Sequence, residues 1–153
     1  MIKNKIKVEG RLIAKKNDKI IYDSKNLLLD TGIEYVLKLL AGDNIDTETS
    51  YGLESIAIGD SNAVETEEQE DLQGSEIDEE QITFNIVNNQ LYLSAEFTNN
   101  SGSTITHTEF VLTNNYDAGI GNRTCLSRIV LDKPIELKDE EYIEYVWLIE
   151  ISR

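Results

Sequence analysis

The sequence predicts a mainly β fold: an antiparallel β-sandwich of roughly eight or nine strands with one short α-helix, residues 32–41. Three observations carry this expectation. Most segments alternate apolar and polar residues with period two, which places one side of each segment against a core. Clusters of Asn, Asp, Ser and Gly punctuate those segments where the chain must turn. Only one stretch, Asn26 to Gly42, has helical spacing, and a parallel α/β sheet would need more helices than that.

From Ile6 to Ala14, Ile6, Val8, Leu12 and Ala14 keep period two, with Gly10 marking an expected bulge or bend. Asn17-Asp18 turns the chain into a returning strand from Lys19 to Tyr22. Leu27 to Leu29 leads into the helix. There Ile33, Val36, Leu37 and Leu40 fall at i, i+3, i+4 and i+7, a stripe expected to pack on a sheet. Glu34 and Lys38 form an outward i, i+4 pair. Thr31 and Glu34 match a capping box, and Gly42 stands where a left-handed residue ends a helix.

After a polar loop from Asp43 to Ser50, Leu53 to Ile58 reads as an interior strand stopped by Gly59-Asp60. Residues 63–81 hold the densest acid block, with Val64, Leu72 and Ile77 as its apolar anchors. Self-repulsion in such a block predicts a solvated, mobile loop. Ile82 to Val87 and Leu91 to Phe97, joined by Asn88-Asn89, form the clearest hairpin. Ile105 to Thr113 is a further strand, followed by a loop from Asn114 to Arg123, a strand from Cys125 to Leu131 and a bend at Pro134. Asp139-Glu140-Glu141 turns the chain into its strongest element. Ile143, Tyr145, Trp147, Ile149 and Ile151 line one face there, and Val146 and Leu148 make the middle of the other apolar, as in a central or doubly covered strand.

The 153 residues fit a single domain, 1–153, and no repeat is visible at a period of roughly 20 to 50 residues. With 29 acidic against 14 basic side chains, the net charge of -15 repels phosphate backbones and anionic lipid, so neither nucleic acid nor membrane is an expected partner. The opening Met-Ile-Lys-Asn-Lys-Ile-Lys lacks the apolar block of a secretory signal, which leads to the expectation of a soluble product made in the cytoplasm. One cysteine, Cys125, forms no internal disulfide.

A hydrolase needs a nucleophile, a base and an orienting group, but the only histidine, His107, and the only cysteine lie in separate strand segments without a motif around either. His107 is expected to be a sheet residue at the surface or in a hydrogen bond, and Cys125 a small apolar core residue. The loops Asp43 to Glu48 and Asn114 to Asn122 hold oxygen ligands but do not follow the spaced calcium-loop pattern. Alternation makes Trp147 and Tyr145 core residues rather than a stacking platform, and Tyr142 is the third aromatic of that segment. No enzyme activity, metal or cofactor is therefore expected.

The segment order carries a resemblance. An opening hairpin leads to Asn-Leu-Leu-Leu-Asp-Thr-Gly and a helix ending Leu-Ala-Gly, followed by Leu-Glu-Ser-Ile-Ala-Ile-Gly-Asp-Ser-Asn-Ala. Then come an acidic stretch ending Leu-Gln-Gly-Ser-Glu-Ile and a last strand Tyr-Ile-Glu-Tyr-Val-Trp-Leu-Ile-Glu-Ile. This order resembles the small structural proteins of tailed bacteriophages, in the tail-fibre and virion-surface class. The resemblance implies a non-enzymatic virion component that forms a homo-oligomer and meets other virion structural proteins, most simply in a tail fibre or baseplate. A decoration protein on the outer capsid is the alternative placement, and a small carbohydrate-binding sandwich is a reading from another class. If the outer side of the last strand meets a neighbouring subunit, Val146 and Leu148 are the candidate assembly interface.

Overall fold

A computed structural model describes residues 7–41 and 52–152. In chain order the elements are β1 (Lys7–Lys16), β2 (Lys19–Lys25), β3 (Leu27–Leu28), α1 (Asp30–Ala41), β4 (Ser55–Gly59) and β5 (Glu76–Gln81). They continue with β6 (Thr83–Val87), β7 (Gln90–Thr98), β8 (Ile105–Thr113), β9 (Cys125–Leu137) and β10 (Tyr142–Ser152). The strands form two five-stranded antiparallel sheets, ordered β2-β1-β10-β7-β6 and β3-β9-β8-β4-β5. The expected sandwich is present, and its last strand, β10, is central in the first sheet, as its apolar pattern requires.

Period two decides what lies between the sheets. Trp147 pairs with Leu12 on one side and Leu93 on the other, and all three point inward. Ile56, Phe110 and Ile129 meet them from the second sheet. Asn17 and Asp18 both have positive φ, 51° and 61°, so they make the tight turn between β1 and β2. The β6–β7 hairpin closes at Val87 and Gln90 across Asn88-Asn89.

Several local expectations are corrected. The register runs unbroken through Gly10, which faces Ile149, and the irregularity falls at Ala14/Lys15 instead. Gly10 is there for space, since a Cβ would overlap the Asn26 side chain. Strand β9 continues through Pro134, and its pairing with β8 shifts between His107 and Glu109. That irregularity is where a residue without an N–H is tolerated. The acid block is not one loop over 63–81, because residues 76–81 form β5 at the edge of the second sheet. Ile6, Gly42 and the loop from Asp43 to Ser50 lie outside the described residues.

The helix begins at Asp30, two residues earlier than expected. The Ile33 amide donates to the Leu29 carbonyl at 3.0 Å, so Leu29 is the cap and the Thr31–Glu34 capping box does not form. The Thr31 hydroxyl instead donates to the Cys125 carbonyl at 3.1 Å. Gly32 lies so close to the Leu126 carbonyl that a Cβ would overlap it, and this approach sets the rotation of α1. Gly32 and Tyr35 are buried and Val36 is half-buried. Of the expected stripe, Ile33, Leu37 and Leu40 are therefore exposed, Leu37 by 60% and Leu40 by 80%. The outward Glu34–Lys38 pair forms at 2.8 Å.

Candidate interaction surface

The residues most able to do chemistry are sealed in. His107 is fully buried, with Nδ1 2.7 Å from the Tyr145 hydroxyl and the Phe97 and Phe110 rings edge-on to it. Burial lowers its pKa to about 4, so the ring is neutral at ordinary pH. Cys125 is fully buried too, and burial pushes its thiol pKa up. It packs with Leu29, Ala57, Leu72 and Val111 on the outer side of the second sheet. Trp147 and Tyr145 belong to the core, whereas Tyr142 is exposed.

The outer side of the second sheet is covered by the acid-rich segment, and buried charge holds it there. Arg128 and Glu109, both wholly buried on neighbouring strands, pair at 2.7 Å. The Glu109 carboxylate also accepts the amides of Ser61, Gln73 and Gly74 at 2.8 to 3.2 Å. Arg128 reaches the Ala63 carbonyl and the Gln69 side chain. A second arginine, Arg123, holds Asp71 at 2.8 Å and pairs with Glu76 at 2.6 Å and Glu79 at 3.4 Å. Glu65 accepts the Val130 amide at 2.6 Å. The block expected to be solvated thus puts several of its acids to structural use. Its one signal in the sequence is the pair Arg123 and Arg128, the only charges between Gly119 and Leu131.

In the loop from Asn114 to Asn122, polar groups serve the fold: Asn114 Oδ1 accepts the Thr124 amide across the base of the loop, and Asp71 of the acid segment accepts the Gly121 amide. Among the described residues no cluster of side chains could hold a metal ion. The other loop considered for calcium, Asp43 to Glu48, is outside the described residues.

Apolar surface collects where the two sheets part beneath α1. Val8, Ile33, Leu37, Leu91, Ile149 and Ile151 are among the residues lining a cleft of about 270 Å³ there. A second cleft of about 290 Å³ shares Leu91, Ile149 and Ile151 and extends to Ile86. The apolar surface is therefore continuous from α1 to β6. Every residue of β6 is exposed, Phe84 by 72% and Ile86 by 64%. The sequence reading found the β6 strand but not its exposure, because alternation does not reveal which strand ends a sheet.

The residues nominated as an assembly interface lie on the outer side of β10. Val146, between Ile13 and Ser94, is 4% exposed. Leu148, between Arg11 and Tyr92, is half-buried. No protein-family model, no curated protein and no solved structure matches this chain.

Proposed function

We propose that this protein is a non-enzymatic structural component of a tailed-bacteriophage particle, placed in the tail fibre or baseplate, where it contacts other virion proteins. The observation that carries the reading is the continuous apolar surface from α1 to β6 on a chain of net charge -15. A small-ligand site needs a few placed polar groups to orient its guest, whereas apolar side chains dominate this cleft. Contiguous exposed apolar surface of this kind suits coverage by a neighbouring protein. Burial of His107 and Cys125 fits the reading, since both would need access to act on a substrate. The segment order described above supplies the kind of assembly, and repetition of weak contacts around a symmetric particle supplies its strength.

Quantitative mass spectrometry of purified virions tests this. A copy number in step with the tail's symmetry is expected. A copy number comparable with that of the major capsid protein would replace the tail placement with capsid decoration, and absence from the particle would overturn the structural role.

A further inference from the structure

The four sheet edges of the sandwich are not alike. Strand β2 carries Lys19, Asp23 and Lys25, and β5 carries Glu76, Asp78, Glu79 and Glu80. Strand β3 is only two residues long. Charge and shortness are the usual protections against unwanted strand pairing. Strand β6, Thr-Phe-Asn-Ile-Val, has neither: it holds no charge, and among the described residues it pairs only with β7.

We propose that β6 is a self-association edge, pairing antiparallel with β6 of a second copy of this chain about a two-fold axis at Asn85. The register follows from the hairpin. A two-residue turn at Asn88-Asn89 makes Val87 and Gln90 a hydrogen-bonded pair, so Thr83, Asn85 and Val87 direct their backbone groups at β7. The N–H and C=O groups of Phe84 and Ile86 then point out of the free edge. Placing the axis at Asn85 sets each Phe84 opposite the partner copy's Ile86 as a hydrogen-bonded pair, and every outward backbone group of the two residues finds a partner. Phe84 and Ile86 share the face of Leu93 and Leu91, so the same pairing stacks an aromatic on a β-branched side chain on the apolar side.

Charge selects the edge that two copies can share. Two copies each carrying -15 repel, and a two-fold contact through β5 would set acid against acid. Around β6 the outward residues Asn85, Gln90, Tyr92 and Ser94 are all uncharged, so identical surfaces meet there without like charges facing. The contact is isologous and closes on itself, joining the two first sheets into one continuous sheet. It deepens the assembly reading by naming the first partner, and it is measured on the isolated protein without reference to a particle.

Sedimentation velocity over a concentration series, paired with hydrogen exchange, tests it on the full chain. A reversible monomer–dimer equilibrium is expected, with the Phe84 and Ile86 amides gaining protection as the dimer fills. Asn85→Lys places two cations opposite each other at the axis and should abolish the dimer. Ile86→Pro removes an outward N–H at an edge that tolerates proline and should do the same. Ile21→Lys, an exposed change on β2, should leave it intact. Circular dichroism and the urea midpoint show that each variant is folded. A monomer at every concentration, or a dimer unaffected by both β6 variants, overturns the inference and leaves virion placement to the copy-number measurement. Protection of Phe84 and Ile86 in a monomer also overturns it, since another part of the same chain would then occupy the edge.

Discussion

The segment from Ser61 to Gln81 and the surface formed by α1 with β6 are opposites in composition, and the fold treats each against its composition. The first is the most acidic part of the chain, yet Asp71 and Leu72 are buried and its acids and backbone amides converge on Arg123, Arg128 and Glu109. The second is rich in Leu, Ile and Phe, yet leaves Leu37, Leu40, Phe84 and Ile86 largely exposed. Hydrophobicity counts alone would have exchanged the two. Partners decide burial: a carboxylate is buried when a guanidinium and three amides complete it, and a leucine stays out when no second surface arrives.

The sharpest way to break this comparison is to remove the cation under the acid segment. Arg128→Met leaves Glu109 buried without its counter-charge, and should cost roughly 3 to 5 kcal/mol in urea unfolding. Hydrogen exchange should show the Ser61, Gln73 and Gly74 amides losing protection in step. The double change Glu109→Gln with Arg128→Met, which removes both charges of this pair and keeps a carbonyl acceptor for those amides, should cost less than the single one. An unchanged midpoint for Arg128→Met would return the segment to a loosely held excursion.

The core holds the aromatic cluster around His107, whose environment admits no charge. Its pKa falls from 6.5 to about 4 on folding, with burial the cause. Between those values the unfolded chain binds a proton that the folded chain does not, so stability is lost as pH drops from 6.5 towards 4. By linkage that loss is roughly 3 kcal/mol at its limit. Burial raises the pKa values of Asp78 and Glu80, which act in the opposite direction as pH falls. The measurement is therefore the difference in pH dependence between wild type and His107→Gln, which should lack the His contribution. Parallel curves for the two proteins would contradict a buried neutral imidazole.

How far the sequence could be read follows from the same contrast. Alternation found most of the paired strands, the two hairpins and the central β10, because period two reports directly which side of a strand meets a core, but it missed β5, whose acids read as a solvated loop. It found the Glu34–Lys38 pair, because both partners lie on one helix. It missed the rotation of α1, which is set by Gly32 meeting the Leu126 carbonyl, a contact across almost the whole chain. It missed the Glu109–Arg128 pair for the same reason: the residues are neighbours only once β8 and β9 are in register. The free edge at β6 is likewise a property of sheet order, which local pattern does not carry.

The helix provides a comparison within itself. Tyr35 is buried, so Tyr35→Ala should cost about 3 to 5 kcal/mol, as for a large core truncation.

The smallest effect belongs to Leu37, where the helical stripe alone would place a core leucine worth roughly 2 to 5 kcal/mol on truncation. The observed rotation leaves 60% of Leu37 exposed at the rim of the apolar cleft, so most of that transfer energy is not gained in a single copy. Leu37→Ala should therefore cost less than about 1 kcal/mol in the urea midpoint of the dilute protein. Lys38→Ala, which removes the exposed surface pair with Glu34, should cost no more than about 0.5 kcal/mol. The two variants separate when the cleft is covered. Truncating Leu37 then removes apolar contact with whatever covers it, so under the proposed virion role incorporation into particles should fall while the monomer's stability barely moves; Lys38→Ala should leave incorporation unchanged. A Leu37→Ala loss as large as that of Tyr35→Ala in the dilute protein would mean that α1 already buries its stripe in the single chain, and the contrast between the anchored acids and the uncovered apolar surface would fail at the helix.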